Sequence, residues 1–251
     1  MIRLHSYHGT QNLGDAIQSL ALLRLCKELR PDLEYGWVDR DNPSGTDMSR
    51  VLVNGWLNEQ WHFRRDGAAM CGVHIADETA FRRANIVKML DFPVGSRDPS
   101  THELFFSNGV PSEMIGCATL TLPRYEGRRS GTIWTDSKPQ GKRLPPFLKW
   151  SHKIPVEVAW EAQLAWAKDT LEMYRLASKV FTSRLHVLLP CIAFGTPVAL
   201  THIPPNEERR FSLAKYLGVE VGTEPKVYDT SELAGKFRAF TLKALNRLSP
   251  P

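Results

Sequence analysis

The feature that most constrains this chain is a repeated exchange of short apolar runs with longer helix-patterned stretches. Ile2 to Tyr7 alternates as a strand does. Asp15 to Arg30 then carries apolar residues around most of a helical circumference, which predicts a well-buried helix that Pro31 stops. Tyr35 to Val38, Arg50 to Val53 and Met70 to Ile75 read as strands, and Thr79 to Leu90 as a helix. Phe92 to Ser96 is a further expected strand, Ser100 to Asn108 a helix, and Met114 to Leu120 a strand. Such a series predicts a parallel sheet covered by helices. Leu122 to Arg129, with Pro, Gly and charge but no periodicity, reads as a linker.

A second series follows. Gly131 to Thr135 is an expected strand, Asp136 to Pro146 a loop, Pro155 to Ser178 a long helical region, and Val180 to Thr182 a strand. Arg184 to Phe194 reads as a helix, Pro197 to Thr201 as a strand, Asn206 to Leu217 as a helix, Lys226 to Tyr228 as a short strand, and Ser231 to Leu248 as a closing amphipathic helix. The expectation is two α/β halves, residues 1–124 and 125–251. Ligands in such folds bind at the carboxyl ends of strands, often in the cleft between halves.

With 42% hydrophobic and 10% aromatic residues, the 251-residue chain has enough apolar material for a sizeable core, which excludes a disordered protein. No stretch approaches the ~20 apolar residues of a membrane helix, and no apolar signal core follows Met1. The expected location is cytoplasmic, with the inner face of the membrane left open. Cys26, Cys71, Cys117 and Cys191 are scattered and lie in or beside apolar runs, so they read as buried free thiols. A net charge of +5 suits an anionic partner. The densest basic spots, however, are only the pairs Arg64-Arg65, Arg82-Arg83 and Arg128-Arg129. Glu207-Glu208-Arg209-Arg210 mixes signs and reads as a solvated face. No nucleic-acid partner is expected.

Two segments carry chemistry. Tyr7 to Ala16 is a strand end, a polar loop with two glycines, and a helix start; the amides of Asn12 to Asp15 would favour an anion, although the same residues also suit an ordinary turn and cap. In Val180 to Leu200, Ser183 is an expected N-cap, with Arg184 and His186 in the first turn and Gly195 at the end. Arg binds a carboxylate or phosphate as a fork, and His moves protons. Pro190 cannot donate to the carbonyl of His186, so a kink is expected there. An isolated Arg-Leu-His would more often be a structural ion pair beside a satisfied histidine.

Together the segments resemble the polysaccharide pyruvyl transferase family. Gln11-Asn12-Leu13-Gly14-Asp15 resembles its Asn-x-Gly-Asp loop, and Thr182-Ser183-Arg184-Leu185-His186 with Ala193-Phe194-Gly195-Thr196-Pro197-Val198 is similar to its C-terminal signature. Val94-Gly95-Ser96-Arg97-Asp98 resembles the family's strand ending in Arg-Asp, and Gly116-Cys117 its Gly-Cys before the domain crossover.

The resemblance implies two Rossmann-like domains in a GT-B-like arrangement with an interdomain cleft, the acceptor on residues 1–124 and the donor on 125–251. It implies transfer of pyruvate from phosphoenolpyruvate to two hydroxyls of a glycan, giving a cyclic ketal, as in exopolysaccharide and cell-envelope biosynthesis. Phosphoenolpyruvate is then a co-substrate, and no cofactor or metal is required. The implied donor residues are Ser183, Arg184, Leu185 and His186, with Arg97, Asn12 and Gly14; His186 is the candidate acid or base, and Arg184 its catalytic companion. His8 reads as solvated and Asp15 as a loop organiser. The acceptor, a glycan or lipid-linked oligosaccharide, is expected at Asn54, Trp56, Trp61 and His62, beside Asn58 and Glu59. Trp134 and Trp150 also fall near predicted loops, whereas Trp160 and Trp166 read as core. The rival readings are a glycosyltransferase using a nucleotide sugar on the same scaffold and a non-catalytic glycan or anion binder.

Overall fold

A computed structural model describes residues 1–42, 49–57, 67–83, 92–137 and 147–249. The first half builds a six-stranded, wholly parallel sheet from β1 (Ile2–Ser6), β2 (Tyr35–Asp39), β3 (Val51–Leu57), β4 (Ala68–Ile75), β5 (Val94–Ser96) and β6 (Ser112–Met114), in the order β2-β1-β3-β4-β5-β6. Every residue of β4 is buried, as expected of a central parallel strand covered on both faces. Helices α1 (Leu13–Leu29), α2 (Glu78–Arg83) and α3 (Pro99–Ser107) belong to this half.

The second half builds a four-stranded parallel sheet, β10-β9-β7-β8, from β7 (Ser130–Thr135), β8 (Leu148–Trp150), β9 (Ala177–Thr182) and β10 (Val198–Leu200). Its helices are α4 (Trp160–Leu176), α5 (Leu185–Phe194) and α6 (Ser212–Tyr216). The last helix, α7 (Ser231–Leu248), begins and ends where the periodicity places it, and it returns to the first sheet. Thr241 meets Cys71 at 3.1 Å, and the Phe240 and Phe92 rings cross edge to face at 5.4 Å. One apolar core runs from β1 and α1 through α4 and α5 to α7. The four cysteines are free and buried.

Several expected elements change. Met114 to Leu120 is not one strand. Gly116 adopts φ +86°, a left-handed turn that ends β6, and Ala118–Thr121 winds into a 3-10 turn held by the Thr121 hydroxyl on the Ala118 carbonyl, 2.7 Å. Asn206 to Leu217 is helical only over Ser212–Tyr216, because Asn206 itself sits at φ +65°. Pro155 to Ser178 is helical only from Trp160 to Leu176. Lys226 forms a single bridge to Val198 rather than a strand. β8, which the sequence reading leaves out, is an exposed edge strand of three residues, too short for its alternation to stand out. Of the expected Thr79 to Leu90 helix and Asp136 to Pro146 loop, residues 84–90 and 138–146 lie outside the described residues. Trp166 is 44% exposed and not core; Trp134 is buried in β7, stacked on Phe181 at 4.1 Å, and so is no sugar platform.

Candidate active site

The two conspicuous segments meet. At the end of β1, the Asn12 side chain accepts the Gly14 amide at 3.2 Å and so caps α1. Thr10 donates to Asp15 at 2.7 Å. Burial raises the Asp15 carboxyl, against the lowering pull of Thr10, Arg210, Arg40 and Arg97. The loop is bonded into the second half: the Leu13 amide donates to the His152 carbonyl at 2.9 Å, and the Ile154 amide to the Gln11 carbonyl at 3.0 Å.

Beyond β9 the local geometry differs from the expected cap. Arg184, not Ser183, is the N-cap of α5, and it makes no side-chain cap bond. Ser183 instead donates its hydroxyl to the Asp136 carbonyl at 2.6 Å. Arg184 donates through Nε to Asp136 Oδ2 at 2.9 Å, while its amide donates to Thr182 Oγ1. The Val187 and Leu188 amides both turn to the Arg184 carbonyl. His186 departs from helical geometry (φ −82°, ψ 17°), the kink expected opposite Pro190.

Asp136 organises this corner. Besides Arg184 and Ser183, it accepts Ser151 Oγ at 2.6 Å and the His152 amide at 3.0 Å. Burial pushes its carboxyl up, but Ser151, the His152 amide and Arg184 together hold it below the usual carboxylate range. A cavity of about 420 Å³ opens against Asp136, Lys153, Ser183, Arg184, Leu185 and Arg210.

His186, next in the chain to the lining residue Leu185, is 3% exposed, with both ring nitrogens buried and unbonded among the described residues. Its closest link to the first loop is Gly14: a Cβ there would stand 2.9 Å from His186 Cβ and 3.0 Å from Nδ1, so this approach needs glycine. Burial drives the imidazole well below its ordinary pKa, and the charges of Arg97 and Arg210 act in the same direction, so it is neutral at pH 7. Arg97 is fully buried. Asp98 Oδ2 lies 3.4 Å from its Nε, yet none of its three guanidinium nitrogens completes a hydrogen bond among the described residues. Burial lowers its pKa, opposed by Asp98.

A second cavity, about 560 Å³, shares Glu207 and Arg210 with the first and is lined also by Asn12, Asp15, Arg40, Trp56, His74 and Arg209. Glu207, Arg209 and Arg210 thus line the cleft, while Glu208 and Arg209 are solvent-exposed as expected. Trp56 is half-exposed, with the Arg40 guanidinium 5.6 Å from its ring centroid. Asn54 is buried; its carbonyl accepts Tyr7 OH at 2.7 Å, and its Oδ1 has no partner among the described residues. Trp61 and His62, with Asn58 and Glu59, lie outside the described residues. His8 stacks on Trp160 at 5.9 Å.

Several cleft residues escape the sequence reading: Asp136, Lys153, Arg210, Arg40 and His74. The signal for His74 was a histidine inside a fully apolar strand; the signal for Asp136 was its place immediately after β7. Arg40 and Arg210 carry no local pattern, and only the fold brings them to the cleft. Among the described residues, no three His, Cys, Asp or Glu side chains converge as a metal set, and no helix is long and apolar enough to cross a membrane.

Comparison with known proteins bears on this geometry. In fold, the chain is similar to a functionally uncharacterised protein from Klebsiella pneumoniae: TM-score 0.52 at 15% identity, over 88% of this chain and 93% of that one. It is more loosely similar to a candidate UDP-N-acetylglucosamine 2-epimerase from Listeria monocytogenes: TM-score 0.46 at 12% identity, over 98% and 88% of the two chains. The second likeness is too weak to carry an argument, and the first shows the fold alone. No curated protein matches significantly. The family model described as polysaccharide pyruvyl transferase matches residues 12–158, more than half of the chain. That span takes in the Asn12 to Asp15 loop and Arg97-Asp98 but stops before Ser183 to His186. The chain belongs to the polysaccharide pyruvyl transferase family.

Proposed function

We propose that this transferase moves pyruvate from phosphoenolpyruvate to a hydroxyl pair of a glycan, free or lipid-linked, and leaves a cyclic ketal. One observation carries the reading. Where the Gly14 loop meets the Arg-Leu-His segment, a buried imidazole has two unmet nitrogens and feels the charge of the buried, underbonded Arg97, and its neighbour Leu185 lines a cavity with Arg184, Arg210 and Lys153. A buried cation whose hydrogen bonds are unmet is costly. A small, multiply charged acid is the kind of ligand that offsets the cost.

In this reading the donor enters the 420 Å³ cavity. Its phosphate or carboxylate meets the Arg184 fork, the Arg210 charge and the Leu185 and His186 amides, which open a helix with no helical acceptor behind them. Arg184 is held for this by Asp136 through Nε, which leaves its two terminal nitrogens for the ligand. Arg97 supplies positive charge from below. Positive charge here stabilises the phosphate as it leaves, and His186 is the proton carrier closest to the donor. The first sheet takes the acceptor and the second the donor, in a GT-B-like arrangement. The reaction needs neither metal nor cofactor, and the location is cytoplasmic, at or near the inner membrane face.

The test is incubation with phosphoenolpyruvate and a panel of β-galactoside and mannosamine-type acceptors, with mass detection of the ketal and assay of released phosphate. The expected result is an acceptor-dependent ketal, absent in His186→Ala. Thermal stabilisation by UDP- or GDP-sugars but not by phosphoenolpyruvate would overturn the reading in favour of a glycosyltransferase. Binding of phosphoenolpyruvate with no turnover on any glycan would overturn it in favour of a binding protein.

A further inference from the structure

His74 belongs to neither conspicuous segment. It stands near the carboxyl end of β4, and Trp56 is its register partner on β3. Both side chains line the 560 Å³ cavity, so an exposed aromatic face and an imidazole stand side by side at the strand ends. His74 Nδ1 lies 2.7 Å from Asp98 Oδ2. Asp98 is itself fixed: its other oxygen accepts the Thr101 amide at 3.0 Å, where it caps α3, and Ser212 Oγ at 3.3 Å. An ionised carboxylate only accepts, so Nδ1 must carry the proton. The net pull of His74, Arg97 and the Thr101 amide keeps Asp98 ionised against its burial. Burial, reinforced by Arg97, keeps the His74 ring neutral. Nε2 is then the acceptor. A histidine with one nitrogen clamped by a buried carboxylate and its ring at a cleft is the arrangement of a general base.

We propose that His74, oriented by Asp98, is the base that takes the proton of the attacking acceptor hydroxyl, with the sugar ring laid on Trp56. The inference rests on the pyruvyl-transfer reading above. As the hydroxyl oxygen bonds to C2 of the donor, its proton passes to Nε2, and the C2–C3 electron pair takes a proton at C3 from solvent water. The C2–O bond to phosphate then breaks, phosphate leaves with that electron pair and receives the proton held by His74, and the second hydroxyl closes the ketal and returns its proton to solvent. The first hydroxyl proton thus ends on phosphate, and the second replaces the one taken up at C3. His74 touches the acceptor; Asp98 is a positioning residue.

Two measurements test it. In His74→Gln and His74→Ala, ketal formation should fall by ~10²–10⁴-fold while phosphoenolpyruvate affinity, read by calorimetry, changes less than about threefold. Added imidazole should restore part of the rate to His74→Ala. Independently of activity, long-range proton–nitrogen NMR of the wild-type chain should show His74 protonated on Nδ1. A near-normal rate in either variant, or a proton on Nε2, overturns the assignment even if the transfer reading stands. A wild-type chain that transfers no pyruvate to any acceptor overturns that reading and this one with it.

Discussion

Two arginines follow two strands, one in each sheet, and their surroundings are opposite. Arg184, after β9, is about one-third exposed and donates to Asp136, a carboxylate that also gathers Ser151 and the His152 amide. Arg97, directly after β5, has no exposure and no completed hydrogen bond among the described residues. The first arginine is positioned by the fold. The second has one charge partner, Asp98 at 3.4 Å from Nε, and a buried ion pair whose guanidinium hydrogen bonds are unmet is a net cost to the fold. Side chains held at such a cost belong to function more often than to stability.

The largest expected effect breaks the pair of arginines apart. Arg97→Met should weaken phosphoenolpyruvate binding by about 2–5 kcal/mol, the range for removing one partner of a desolvated charge pair. Arg184→Met should lose about 1.5–3 kcal/mol, the range for hydrogen bonds to charged groups. Calorimetric titration of both variants checks the order.

Next comes pH. His5 and His152 are pushed down to about 3 by burial, and His186 well below its ordinary value. A histidine whose folded pKa lies below its unfolded one leaves the unfolded chain binding more protons. Its stabilising effect is therefore full above about pH 6.5 and is lost as pH falls below that. Between pH 7 and pH 5 His5 and His152 should each cost about 2 kcal/mol, measurable by urea unfolding, and His186 adds to the loss in the same direction. Saturating phosphoenolpyruvate should shrink the loss, because an anion beside His186 favours its charged form. His152, bonded to Tyr174 at 2.8 Å, should not respond.

The contact that joins the two regions is tested by Gly14→Ala. The added methyl collides with His186, and overpacking of this kind costs about 1–3 kcal/mol. Thermal melting should show that loss, with turnover falling further than stability.

The sequence carried the sheets better than the site. Among the described residues, apolar alternation and helical periodicity located nine of the ten strands or their neighbourhoods, and placed α7 to the residue, because burial on a parallel sheet imposes those patterns directly. Gly116 and Asn206 mark two elements that the pattern missed: Gly116 turns left-handed inside an apolar stretch and leaves no break in periodicity, whereas Asn206 turns left-handed in a polar segment that reads as a helix start. Motif residues announced Asn12, Gly14, Arg97, Arg184 and His186. Arg210 and Arg40 were silent, because their local partners, Glu207 and Asp41, read as ordinary surface ion pairs and only tertiary packing brings them to the cleft. Ser183 was misassigned for the same reason: Asp136, 47 residues away, takes the hydroxyl that a local rule gives to the helix.

The smallest effect is also instructive. Trp166→Ala should change stability by less than about 0.5 kcal/mol, as for an exposed side chain, whereas Trp160→Ala, in the core, should cost about 3–5 kcal/mol. Urea unfolding of the two variants separates a surface tryptophan from a buried one.

The central claim is that the buried guanidinium serves a ligand and not the fold. Melting of Arg97→Met and wild type, each with and without saturating phosphoenolpyruvate, tests it most directly. The account predicts that without the donor the variant melts close to the wild-type temperature, because Asp98 keeps its bonds to His74, the Thr101 amide and Ser212, and that the donor raises only the wild type. A variant that melts well below wild type without donor, or that the donor stabilises equally, contradicts it.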